Sequence, residues 1–194
     1  MSAKHLGAAM ALAILLSAGG AGAAGSPTAF NRVLADQSRV GFVFKQMGVP
    51  VEGHFRTVRT ELSFDPGTPE KSSVRLELDL ASIDAGSSEA NDEVVTKPWF
   101  DIKAHPVATF VSSSVKPLGG NRFEVAGKLS IKGKTHDVTT PVTVTEQGST
   151  ATFEGGFTLK RLEFALGDGM WADTSVVAND VEIRFRAAAA RAEK

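Results

Sequence analysis

Three histidines, His54, His105 and His136, lie beyond the first two dozen residues, each in a different stretch of the chain. A metal pair on one element needs i,i+2 or i,i+4 spacing, with a carboxylate beside it in H-E-x-x-H, and none of the three has it. His105-Pro106 and His136-Asp137 sit at turn edges, where a solvated imidazole is ordinary. Gly133-Lys134-Thr135 has the ending of a phosphate loop, but the position that needs glycine five residues earlier is Lys128. A strand pattern follows, so no helix N-terminus is offered to a phosphate. Gly167-Asp168-Gly169-Met170-Trp171-Ala172 matches G-x-G-x-x-A by letter, without the strand–turn–helix setting of a dinucleotide fingerprint. Asp168 and Asp173 read as a solvated turn, and Gly-x-Ser-x-Gly does not occur. The absence of cysteine removes disulfides, thiolate zinc sites and cysteine nucleophiles. The expectation is a protein with no catalytic residues and no metal.

Bulky apolar volume is abundant instead: twelve Phe and two Trp stand against no Tyr. Phe42, Phe44, Phe55, Phe64, Phe110, Phe153, Phe157 and Phe164 would converge on one interior. A ligand pocket and a solid core use the same residue types, and patterning alone leaves both open.

The elements that position these side chains are strands. In Val74–Leu80 the apolar residues Val74, Leu76, Leu78 and Leu80 alternate with Arg75, Glu77 and Asp79. Phe123–Ile131, Val138–Val144, Ala151–Leu159 and Val181–Phe185 repeat the scheme, with weaker runs at Val40–Lys45, Gly53–Phe64 and Val107–Val115. Asp65-Pro66-Gly67, Gly119-Gly120-Asn121, Lys132-Gly133-Lys134 and Gln147-Gly148-Ser149 punctuate them as turns. This predicts about eight antiparallel strands in up-and-down order. One segment breaks the period: Ser87–Lys97, stopped by Pro98, reads as a short helix delivering Trp99-Phe100 onto the sheet. A sandwich or a closed barrel would bury the apolar faces. A membrane barrel is disfavoured, because its aromatic girdles would have to be built without Tyr and with two Trp.

The whole chain has 194 residues, 42% hydrophobic and 22% charged, with a net charge of -1. That composition describes one globular domain without the basic field that nucleic acid requires. At the N-terminus, Lys4 and His5 precede an apolar run from Leu6 to Ala18 and a small-residue string containing Ala21 and Ala23. This predicts a secretory signal peptide over residues 1–24, cleaved after Ala23 or Ala24, and a mature periplasmic domain over 25–190. No Cys follows the run to carry a lipid anchor.

Several strings in a fixed order resemble the YceI-like family, exported polyisoprenoid-binding proteins with a lipocalin-like barrel. They are Val51-Glu52-Gly53-His54-Phe55, Ser82-Ile83-Asp84, Asn91-Asp92, Trp99-Phe100-Asp101 through Pro106, Ala108-Thr109-Phe110 and Gly127 to Thr135. The tail from Trp171 to Val181 resembles a subgroup associated with b-type membrane cytochromes. Two departures are Ala85, where many relatives have Thr, and Asn91, where many have Arg; the second removes a charged clamp at the helix. The resemblance implies an all-β, eight-stranded antiparallel barrel with one short helix and an apolar interior channel. It implies a long-chain isoprenoid or other amphiphile as ligand, a quinone included, and neither catalysis nor any other cofactor. On that basis Phe42, Phe44, Phe55, Leu78, Phe110, Leu129, Phe157 and Phe164 are expected against the ligand's chain. Val94, Val95, Trp99, Phe100 and Trp171 are expected at the mouth. The expected partners are the lipid, a transient contact with the membrane or a b-type cytochrome, and a second copy of the chain, with no nucleic acid. The alternatives are an enzyme or redox accessory acting on a membrane quinone, and a structural stress protein with a filled core.

Overall fold

The computed structural model describes residues 29–192, so the expected signal segment lies outside the described residues. Eleven strands and one α-helix follow in order: β1 (Phe30–Val33), β2 (Arg39–Gln46), β3 (Val49–Phe55), β4 (Val58–Ser63), β5 (Ser73–Asp79), β6 (Ile83–Asp84), α1 (Ser88–Val94), β7 (Val107–Gly119), β8 (Arg122–Ile131), β9 (Lys134–Gln147), β10 (Thr150–Lys160) and β11 (Asp180–Arg191). They form one curled antiparallel sheet in the order β4-β5-β7-β8-β9-β10-β11-β2-β3-β6. β1 lies beside the far end of β11 and reaches back to the edge strand β4. There the Phe30 N–H donates to the Phe64 carbonyl at 2.8 Å, and the Phe64 N–H to the Phe30 carbonyl at 3.0 Å.

The strand count exceeds eight for local reasons. The run Gly53–Phe64 breaks at Arg56-Thr57, where the Arg56 N–H turns to the Ser82 carbonyl and the Thr57 N–H to the Ser82 hydroxyl. The short β1 and β6 add two further pieces at the margins of the sheet. Each expected turn is a turn, and β7, β9 and β11 run longer than their apolar alternation.

Curling a sheet this tightly requires places where strands bend, and glycine marks them. A Cβ on Gly53 would lie 2.3 Å from Phe42 Cζ, one on Gly127 2.5 Å from Phe110 Cζ, and one on Gly155 2.6 Å from Phe185 Cζ. Three times, a phenylalanine from the neighbouring strand covers a glycine's backbone. At the end of the sheet away from α1, Phe64 stands edge-on to Phe123 and Phe153, at 5.1 and 5.2 Å between ring centres. Phe30, Ala151 and Ala189 complete that cluster with no exposure.

The helix is shorter than Ser87–Lys97. Ser87 caps it, its hydroxyl accepting from the Ala90 N–H at 3.2 Å. Past Val94 the Phe100 N–H turns back to the Val94 carbonyl and the Ile102 N–H to Val95, so the chain folds under the helix instead of extending it. The Asn91 Oδ1 accepts the Ala85 N–H at 2.6 Å and ties the helix to the end of β6. Asp84 pairs with Arg56, and its carboxyl lies below the ordinary range because the Gly86 N–H and then the Arg56 guanidinium favour the charged form.

Gly127→Ala is expected to lower stability by about 2 kcal/mol, within the usual range for overpacking, because its Cβ also meets the Val111 carbonyl at 2.5 Å. Gly148→Ala is the control: nothing lies within 4 Å, and only its φ of +60° opposes the side chain. Urea unfolding of the two variants checks the ranking, which reverses if crowding at the bend is unimportant.

Candidate functional site

The wide end of the barrel is not filled. Beneath α1 lies a cavity of ≈ 490 Å³, walled by Phe42, Phe44, Phe55, Leu78, Leu80, Ile83, Val94, Trp99, Phe100, Phe157, Trp171 and Ile183 among others. A second cavity of ≈ 130 Å³ continues toward the narrow end between Leu76, Phe110, Val125, Val142 and Phe185. Val40, Leu78, Ala108, Leu129, Phe157 and Ile183 line both, so an outer and an inner compartment meet at these six side chains. Strand register explains the wall: Leu78 pairs with Ala108, Leu76 with Phe110, and Phe110 with Leu129, so neighbouring strands present apolar partners to the same interior. The hydroxyl of Thr140, on the inner wall, donates to the Gly156 carbonyl at 3.0 Å. Gln46, Ser87, Glu89 and Glu93 are the polar side chains of the outer compartment apart from Arg161.

Arg161 holds the mouth. It is 1% exposed, and all five of its N–H groups are spent on carbonyl oxygens. Nε donates to Ala178 (3.1 Å), Nη1 to Leu166 (2.7 Å) and Gly167 (3.3 Å), and Nη2 to Trp171 (2.6 Å) and Val177 (2.7 Å). No carboxylate among the described residues pairs with it, and burial pulls its pKa below the ordinary guanidinium value. The carbonyl dipoles therefore do the work of a counter-ion. Its carbon Cζ sits 5.4 Å from the centre of the Trp99 ring, which in turn lies 5.8 Å from the ring of Trp171. Lys132 adds a second tether from its ammonium to the Ala165 carbonyl (2.6 Å) and the Pro98 carbonyl (3.2 Å). Two cations thus organise a loop that has little regular structure of its own. Trp99 Nε1 is the buried side-chain polar atom left without a partner among the described residues.

Of the residues expected to meet a ligand, Phe42, Phe44, Phe55, Leu78, Val94, Trp99, Phe100, Leu129, Phe157 and Trp171 are on the wall of the outer compartment, and Phe110 on that of the inner one. Phe164 and Val95 are corrections, since both line neither compartment. Phe164 falls in the 3-10 turn Arg161–Phe164, is 2% exposed, and packs edge-on with His136 at 4.7 Å, closing the barrel end beside the channel. Val95 caps the helix and packs into the core cluster under it. The histidines are kept apart: His54 pairs with Asp84 across β3 and β6, His105 lies against Gly133, and His136 rests on Phe164. Among the described residues no three His, Asp or Glu side chains gather as a metal site.

The profile of the YceI-like domain matches residues 32–189, which is most of the chain. The chain belongs to the YceI-like family. A curated relative, a UPF0312 protein of Azotobacter vinelandii, is 33% identical over 138 residues, covering 66% of this chain and 70% of its own. The crystal structure of BcnA from Burkholderia cenocepacia is similar with a TM-score of 0.78 and 47% identity, over 80% of this chain and 98% of that one. A polyisoprenoid-binding domain from Saccharophagus degradans shares the fold at a TM-score of 0.65 and 15% identity, over 86% of this chain and 100% of that one. This YceI-like domain thus has its family's curled antiparallel fold, and two apolar cavities lie inside it.

Sequence reasoning missed Arg161 and Lys132, and a weak trace was there to find: Arg161 stands between Leu159 and Leu162 at the end of an apolar strand. Arg161→Lys is expected to lose about 3 kcal/mol or more, because an ammonium makes at most three of the five bonds and strands the remaining buried carbonyls. Denaturant unfolding measures the loss, and hydrogen exchange should show the segment 165–179 opening first. Stability equal to the parent would remove Arg161 from this role.

Proposed function

We propose that this protein is an exported carrier or store for a long-chain isoprenoid lipid, with the chain in the two-compartment channel and the head at the mouth beside Trp99 and Trp171. The observation that carries the reading is the pair of adjoining apolar cavities, the outer of which, at ≈ 490 Å³, lies within the roughly 300–1,000 Å³ of ligand pockets. The shared fold of a domain that binds polyisoprenoids in another organism supports it. The exported location rests on the run Leu6–Ala18, and N-terminal sequencing of the protein from the cell envelope tests it. An N-terminus at Met1 would refute it.

Magnitudes select long chains. Burying five carbons is worth about 4 kcal/mol gross at ~0.8 kcal/mol per carbon. Association costs about 4–15 kcal/mol in lost freedom, so one isoprene unit gains nothing and roughly three or four are needed. The head is best neutral. Glu89 and Glu93 stand at the rim, and Glu89 is held below its ordinary pKa by its own backbone N–H and then the Ser87 and Ser88 hydroxyls, so it is ionised at neutral pH. Arg161 does not offset this for a ligand, because its N–H groups are all used. A prenyl alcohol or a quinone ring against the two tryptophans fits; a prenyl phosphate does not.

Titration with prenyl alcohols of increasing length, followed by tryptophan fluorescence, is the test. Affinity should rise steeply from about the third unit and be at least tenfold weaker for the phosphate ester of the same chain. Ala108→Phe, placed where the compartments meet, should weaken the longest chains and leave the shorter ones unchanged. Failure of every prenyl alcohol to bind refutes the reading.

A further inference from the structure

Three of the large apolar side chains most exposed among the described residues are Met170 at 84%, Met47 at 73% and Val49 at 62%. They lie at one end of the molecule. The Met47 N–H donates to the Val176 carbonyl at 2.8 Å, and Gln46 bridges to Val177. The carbonyls of Val177 and Trp171, the residue after Met170, share the Nη2 of Arg161. Gln46, Trp171 and Val177 all line the outer compartment, so the exposed residues border the channel mouth.

Met47 breaks a local rule. Met47 and Gly48 form the two-residue loop between β2 and β3, with φ of 49° and 81°. A hairpin loop with both residues left-handed favours Asn-Gly or Asp-Gly, whose first residue tolerates the backbone and meets water well. Methionine does neither, and its side chain is left 73% exposed. A long isoprenoid has almost no aqueous concentration and has to be taken from a bilayer. The charged side chains that line the outer compartment are Glu89, Glu93 and the buried Arg161, which is 1% exposed and so presents no basic surface to anionic headgroups.

We infer that Met47, Val49 and Met170 form an apolar rim that dips into a bilayer surface and places the channel mouth at the hydrocarbon, so that lipid transfers without crossing water. The contact is hydrophobic rather than electrostatic. This inference rests on the isoprenoid reading for what is transferred, but the rim can be tested by itself.

The variants are Met47→Asn and Met170→Ser, alone and together, in the mature protein. Flotation with ligand-free phosphatidylcholine vesicles tests the rim, and uptake of a nine-unit prenyl alcohol from such vesicles tests its use. Affinity for the same alcohol delivered from detergent is the control. The double variant should float less and take up lipid about tenfold more slowly, since it gives up apolar burial in the membrane. Its detergent-delivered affinity should be unchanged, and Met47→Asn should unfold at a higher denaturant concentration than the parent. Replacing part of the phosphatidylcholine with phosphatidylglycerol should not speed uptake. Equal flotation and uptake by parent and double variant would overturn the inference, as would equal loss of detergent-delivered affinity, which would make these residues channel lining. A parent dimer that the double variant dissociates would assign the rim to a second copy of the chain and overturn it as well. If the parent binds no prenyl alcohol even from detergent, the isoprenoid reading fails, and flotation alone decides the rim.

Discussion

An apolar space that does not collapse is the constraint on which the rest of this structure depends. At roughly 24 cal/mol per Å³, forgone packing on the scale of ≈ 490 Å³ is comparable with the entire net stability of about 5–15 kcal/mol that a domain possesses. The walls therefore have to be held by something other than mutual contact across the lumen. Three devices do it. The backbone ladder runs around the curl and closes through the Phe30–Phe64 pair. The aromatic cluster around the inner compartment joins β8, β10 and the residue that follows β4. Arg161 and Lys132 pin the irregular loops at the open end by hydrogen bonds to carbonyls rather than by packing.

This division of labour separates rigidity from access. Strand hydrogen bonds run around the wall from β4 to β6, and Phe64, Phe123 and Phe153 pack edge to face around the inner compartment. At the other end stand a seven-residue helix, two 3-10 turns and the loop they carry. Elements of this kind open at lower free energy than a continuous sheet. The guanidinium of Arg161, by contrast, resists opening, since displacing the loop would strand a buried charge.

Much of the fold was legible because period-two alternation ties each strand to one buried face. Val74–Leu80, Phe123–Ile131 and Ala151–Leu159 correspond within a residue or so to β5, β8 and β10. The break at Arg56-Thr57 was not legible, because the partners that bend the chain there are the backbone and hydroxyl of Ser82, twenty-five residues away for the Thr57 bond. Phe164 shows the same limit: its type and neighbours suggest the interior, but a turn ending in the left-handed Ala165 sends it against His136 instead.

By itself the sequence determined the class of the molecule: antiparallel strands with one apolar face, a short helix before two aromatics, no local set of residues able to do covalent or metal chemistry, and family motifs in order. These are properties of spacing along the chain, and spacing is local. Tertiary structure alone decided whether the phenylalanines fill the interior or line it, which of them face the channel, and that a lone arginine holds five carbonyls at the mouth. Those outcomes depend on how far apart opposite walls stand once the sheet has curled, and on where distant carbonyls converge. Neither distance is encoded in any one stretch of residues.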